Sequence, residues 1–290
     1  LTFNGAVSRT RYSDTIRSEL DAQEGELEGH ALYLHYSHSE RDWNARASYS
    51  ELDEDFRADL GFITQVGYRQ AVVGAERIFH GDGDTLYNRI EIGADLDRSE
   101  ETDGHLLERE AEAWVGFNGP RETSVWLSGG VRTRVFAGVD FDQTFVSLDL
   151  STRPGGALQL GLDVDHGDWI DFEHVRPATR TEVEPSLTWN LGRHLLLEVS
   201  YLHSTLEVDG DRLFEARLPQ LKAAYQLDRR TFLRLLLQYT DIRRTPELYD
   251  RPVAHRSEDL FSQLLFSYKL NPQSVLYLGT SDAFEATGAS

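Results

Sequence analysis

Apolar and polar residues alternate with a period of two along most of this chain. The pattern is clearest from Thr231 to Asp241, where Leu233, Leu235, Leu237 and Tyr239 share one face of an extended segment and Arg234, Gln238 and Thr240 share the other. A strand divided in this way has one side against an apolar phase and the other against water. About ten residues is also the length that crosses a bilayer when a strand is tilted. The alternation recurs in His30–His38, with Leu32, Leu34 and Tyr36 opposed to Tyr33, His35 and Ser37, and again in Trp43–Tyr49. Further on, Ile90, Ile92, Ala94 and Leu96 oppose Arg89, Glu91 and Asp95, while Leu107, Ala111, Ala113, Val115 and Phe117 oppose Glu108, Glu110 and Glu112. Val125, Leu127, Val131 and Val135 oppose Ser128, Arg132 and Arg134; Leu158, Leu160, Leu162 and Val164 oppose Gln159, Asp163 and Asp165. Glu182 and Glu184 alternate with Val183, Leu187 and Trp189, and Glu198 faces away from Leu195, Leu197, Val199 and Tyr201. Leu260–Lys269 and Val275–Thr280 complete the series. Leu1–Thr10 alternates weakly, Val66–Phe79 has no assignable faces, and a phase change near Pro219 predicts a bulge.

Turn signals separate these segments in a short-then-long rhythm. SERD, HGDGD, NGPRE, RPGG, LGRH, LDRR and NPQS are short, and the glycines of His80–Asp84 permit positive φ. The alternate connections read as longer loops: Asp14–Gly29, Glu51–Thr64, Arg98–His105, His166–Arg180 and Arg243–Asp259. Up-and-down barrels of the bacterial outer membrane have short periplasmic turns and long external loops. The expectation is an all-β, transmembrane, antiparallel up-and-down β-barrel of about sixteen strands. Residues 1–290 form its single domain, and its last strand lies beyond Ser290 or is absent.

Composition narrows this picture. Mean hydropathy of −0.46 hides an apolar wall that shows only at every second position. No apolar run of about eighteen residues exists, so a transmembrane helix is excluded. A net charge of −20 argues against a nucleic-acid partner, because phosphate binding needs clustered basic residues. The absence of cysteine removes disulfides, thiolate metal sites and thiol catalysis. The absence of methionine makes Leu1 no native translation start, so the chain reads as a mature product or a fragment.

The polar face carries the candidate chemistry. Glu91, Asp95, Glu108, Glu110, Glu112, Asp163, Glu182, Glu184 and Glu198 are set against Arg89, Arg132, Arg134 and Arg234. Three glutamates on one face cannot sit in a dry core and must meet water. The plain reading is a hydrated interior of salt bridges; the sharper one is a cation-favouring pore. Asp82 and Asp84, like Asp209 and Asp211, lack the spacing of a complete calcium loop and read as turn formers. Nothing sets a nucleophile beside a base in the sequence, so no catalytic residue, metal or cofactor is expected and the chain reads as no enzyme; an outer-membrane hydrolase would need a Ser–His pairing. Tyr36, Tyr49, Trp189, Tyr201, Tyr239 and Tyr268 lie near the ends of apolar faces, as an aromatic girdle requires.

Three stretches carry a resemblance: DFRADLGF at Asp55–Phe62, FLRLLLQYTDI at Phe232–Ile242, and LFSQLLFSYKLNPQSVLYLG at Leu260–Gly279. They are similar to the C-terminal barrel domain, a domain of unknown function, of bacterial outer-membrane proteins that carry a carbohydrate-binding family nine domain. The resemblance implies an outer-membrane location, a lipid-bilayer partner, an N-terminal or periplasmic binding domain outside this chain, and small-solute or saccharide cargo. The chain thus reads as a channel or conduit for small solutes. Its alternative is a closed structural barrel that anchors a binding or surface-assembly module.

Overall fold

The computed structural model describes residues 1–15, 26–58, 63 and 65–288. Fifteen strands follow in chain order: β1 Thr2–Arg11, β2 Glu26–Ser39, β3 Trp43–Leu52, β4 Tyr68–His80, β5 Arg89–Glu101, β6 Leu106–Gly119, β7 Thr123–Phe136, β8 Val139–Gly155, β9 Leu158–Asp171, β10 Arg176–Leu191, β11 Leu195–Val208, β12 Asp211–Gln226, β13 Thr231–Arg244, β14 Arg256–Asn271 and β15 Ser274–Gly288. They form one sheet in which each strand neighbours the next in sequence. This is the all-β, antiparallel up-and-down architecture of β-barrel proteins, with fifteen strands among the described residues against an expectation of about sixteen. The strands run from 10 to 17 residues. That exceeds the ~9–11 residues a tilted strand needs to cross hydrocarbon, so strand ends project beyond a bilayer.

Cross-strand register keeps the two faces distinct. Leu233 pairs with Tyr225 on one side and Phe266 on the other, and Leu235 pairs with Ala223 and Leu264. On the opposite alternation, Gln238 pairs with Gln220, and their amide side chains bond at 3.2 Å. Because the side-chain period is two, this register puts each apolar row on a common face. That face is bare: Tyr225 is 46% exposed, Leu260 45% and Leu264 42%. Water would not tolerate so many large apolar side chains in rows, whereas hydrocarbon would. Charge resumes where the apolar rows stop, as at Asp241 after Tyr239 and His203 after Tyr201.

The contacts divide into two compact units. One holds residues 1–80, 91–114 and 130–143; the other holds 81–90, 115–129 and 144–290. Within the second, Ala178, Leu206, Val208 and Leu213 form a small buried cluster, with Trp169, Phe214, Leu248 and Tyr249 packed against it.

Several boundaries differ from the sequence reading. The expected loop His166–Arg180 is mostly strand, since β9 and β10 pair from Trp189–Leu158 to Arg176–Asp171 and only 172–175 turns. Its acids misled because most of them lie within paired strands, Asp171 itself being buried beside His174 and Arg176. Two other long loops shrink likewise, Arg98–His105 to 102–105 and Arg243–Asp259 to 245–255, whereas the connection expected at Glu51–Thr64 stays long between β3 and β4; the turns at 137–138 and 209–210 take two residues. The short-then-long rhythm therefore fails in the middle of the chain. Asp14–Gly29 and DFRADLGF fall in part on 16–25 and 59–62, outside the described residues.

Pro219 produces no bulge: it pairs in register with Tyr201, and the shift lies between Leu206 and Glu207, opposite Leu213. Asp209 and Gly210 both have positive φ, as a two-residue hairpin requires, so Asp209 is a turn former. In the turn after β4, Gly83 has the expected positive φ. Gly81 serves differently, because a Cβ there would overlap the Tyr87 carbonyl.

Candidate functional site: the polar face of the sheet

In the first unit, the polar faces of β3 to β7 are laced by ion pairs. Arg134 pairs with Glu108, and Arg132 with Glu110 at 3.6 Å. Arg46 pairs with Asp95 and lies over the Trp114 ring, 5.4 Å from its centroid. Glu112 follows on the same alternation as Glu108 and Glu110, and Arg89 and Glu91 precede Asp95 on β5. Asn44 donates to Glu76 at 2.6 Å and accepts from Ser39 at 2.7 Å.

In the second unit, the acids stand in rows across β8, β9 and β10. Asp149 pairs in register with Asp163 and Asp163 with Glu184; Ser147 pairs with Asp165 and Asp165 with Glu182. Ser147 donates to Asp165 at 2.5 Å, and Arg180 lies 3.2 Å from Glu182. Glu198 pairs with Lys222, and Arg234 donates to Gln263 at 3.0 Å. The structure thus compensates Asp95, Glu108, Glu110, Glu182 and Glu198 one by one, and concentrates acid in the Asp149–Asp163–Glu184 row. Sequence reading missed Arg46, Arg180 and Lys222 as partners, as well as Asp149. Arg46 alternates with Ala45 and Ala47, and Asp149 with Leu148 and Leu150, but only register shows what each one meets.

The ends of the sheet carry their own electrostatics. In the turn between β5 and β6, the Asp103 carboxylate lies 2.7 Å from His105 Nδ1, and it also accepts the His105 backbone N–H. The backbone bond, then the imidazole, holds Asp103 below the usual carboxylate range; the carboxylate raises His105 above the ordinary imidazole value. Glu101, Asp103 and His105 bring one ligand atom each within 4.8 Å of one another, all exposed, and their mutual ion pairing accounts for the grouping. In the turn before β13, Asp228 accepts the backbone N–H groups of Arg230 and Thr231 at 2.7 and 2.8 Å, which lowers its pKa.

A second charged cluster lies on the apolar-face alternation beyond Tyr201 and Tyr239. Glu215, buried at 7%, bonds His203 at 2.9 Å and Arg217 at 2.7 Å. Asp241, buried at 4%, accepts two bonds from Arg256 at 2.7 and 3.0 Å. Carboxylates so well covered mark where the apolar band gives way to an ionic rim.

No helix among the described residues is long and apolar enough to cross a membrane. The strands do so instead: their length, their alternation and their bare apolar face define an outer-membrane β-barrel protein. No family model and no curated protein matches the sequence. Among solved structures, the chain is similar to OmpT (in-vitro folded), an outer membrane protein of Vibrio cholerae, in its trimer form. That match has a TM-score of 0.38 and 10% identity over 89% of this chain and 87% of the other. A second structure of the same OmpT gives a TM-score of 0.37 and 10% identity over 89% and 88%.

The expectation that the chain is no enzyme is corrected by the geometry. It rested on finding no nucleophile beside a base along the sequence, and strand pairing brings hydroxyl and imidazole groups from separate strands together, as where His166 Nδ1 lies 2.8 Å from Thr181 Oγ1 across β9 and β10. Distance along the sequence gave no ground for excluding catalysis, because pairing joins residues fifteen apart.

Proposed function

We propose that the chain forms the wall of an outer-membrane conduit for small hydrophilic solutes. The observation that carries this reading is the hydrated, ion-paired polar face set back to back with a bare apolar face on the same strands. Charges in such number belong against water, and in a barrel whose other side meets lipid the water is inside. Acid outweighs base on that face, above all in the Asp149–Asp163–Glu184 row, which supports a preference for cations. Saccharides as cargo follow from the resemblance at Phe232–Ile242 and Leu260–Gly279. One observation favours a second reading, a closed anchoring platform: loop 245–255 folds onto the sheet instead of standing clear.

Planar-bilayer recordings of the purified protein separate these readings. Stepwise currents are expected, with a cation preference that falls when Glu108, Glu110 and Glu112 are together changed to Gln. Currents indifferent to that change would remove these glutamates from the pore lining. Complete absence of current from inserted protein would sink the conduit in favour of the platform.

A further inference from the structure

The loop joining β13 to β14 is held at many points. Thr245 Oγ1 donates to the Arg212 carbonyl at 2.5 Å, and the Tyr249 hydroxyl donates to the Leu213 carbonyl at 3.4 Å. Arg176 Nη2 donates to the Leu248 carbonyl at 2.8 Å, and Arg251 pairs with Glu173 at 2.8 Å. The Asp250 N–H approaches His174 Nε2 at 3.3 Å. Between these bonds, the 3-10 turn Pro246–Leu248 and Tyr249 bring apolar side chains onto Ala178, Leu206, Val208 and Leu213.

The location of that cluster gives the loop its meaning. Ala178 shares the alternation of Arg180 and Glu182, Leu206 that of Glu198 and Ser204, and Phe214 that of Gln220 and Lys222. These are polar-face positions filled by apolar residues at one end of their strands. An apolar patch on a hydrated face needs a cover, and Leu248 with Tyr249 provides it. Arg176 ties the cover down, and Arg176 is itself fixed: its Nε donates to Asp171 at 2.8 Å, and the same carboxylate holds His174 Nδ1 at 2.7 Å. The Asp171 and His174 side chains are 5% and 7% exposed, so the clamp is built into the sheet.

We propose that residues 245–255 form a strap that narrows passage along the polar face of β9–β12, latched by the bond from Arg176 to the Leu248 carbonyl. The constriction rests on the conduit reading above; the latch does not. A charge-assisted bond of this kind contributes enough that its loss should raise the open population of the strap by roughly tenfold or more.

Because the chain has no cysteine, Leu248→Cys gives a single reporter thiol. Its rate of alkylation by a water-soluble maleimide is to be compared with the rate in the same reporter carrying Arg176→Gln. Tyr249→Ala, which removes the loop's bond to the Leu213 carbonyl and part of its cover but leaves the Asp171–His174–Arg176 clamp in place, serves as a second release variant should Arg176→Gln fail to fold. Faster labelling by about tenfold in a release variant, together with larger single-channel conductance, is the expected result. Unchanged labelling would overturn the latch, and faster labelling with unchanged conductance would overturn the constriction. If no protein gave current, native included, the conduit reading and the constriction would fall together, and labelling would still decide the latch.

Discussion

At the scale of single residues, the polar face depends on close approaches that leave no spare volume. Trp114 is buried at 6%, and a Cβ on Gly93 would overlap its indole ring, while Arg46 covers the ring from another side. Glycine at 93 is therefore required by packing, not by φ. Gly93→Ala should cost about 1–3 kcal/mol of unfolding free energy by overpacking. Gly155, where an added Cβ meets nothing within 4 Å, is the control, and Gly155→Ala should be nearly neutral. Denaturant unfolding in lipid vesicles checks both; equal effects would show that Trp114 can move aside. The sequence marked Glu108 and Glu110 as water-facing but could not name Arg134 and Arg132 as their partners, since ion pairing depends on register between strands. The backbone strain of Val175, a β-branched residue at φ 51 beside the latch, had no signal in the sequence at all.

At the scale of elements, strands were legible and their ends were not. The period of two survives in Leu233, Leu235 and Leu237 because hydrocarbon meets one face only, and it is blurred in His166–Arg180 because Trp169 and Ala178 take polar-face positions under the loop that covers them. Even so, β9 and β10 pair through that stretch, since backbone hydrogen bonding does not require an apolar face. The turn from Glu101 to His105 allows a prediction at this scale. Asp103 raises the His105 pKa, so the pair is fully made below the ordinary imidazole value of about 6.5 and is lost as pH rises through the raised one. On the acid side, Asp103 keeps its charge until pH falls through its own lowered value. An NMR titration of His105 should give a midpoint above about 6.5 that returns toward it in Asp103→Asn. A midpoint indifferent to that substitution would mean that the two side chains do not pair in solution.

At the scale of the whole molecule, architecture was the most legible feature. Rows of exposed Leu, Val and Phe on one face, ion pairs on the other and neighbours in sequence order leave few other ways to satisfy every backbone group in lipid. Alternation alone carried that conclusion. It could not reveal that the loop between β13 and β14 folds back, because the apolar residues it covers, Leu206 and Phe214, break the alternation locally and look like noise in the sequence.

The central claim is that one face of each strand meets lipid and the other meets water, and a cysteine scan along β13 tests it most directly. Single cysteines placed in turn at 233 to 238 would be labelled in vesicles with a bilayer-quenched fluorophore and, separately, with a charged thiol reagent. The expected result is strict alternation: quenching by lipid at 233, 235 and 237, and reaction with the charged reagent at 234, 236 and 238. Uniform accessibility along the strand, or quenching of both sets, would contradict the assignment of the two faces and the conduit built on it.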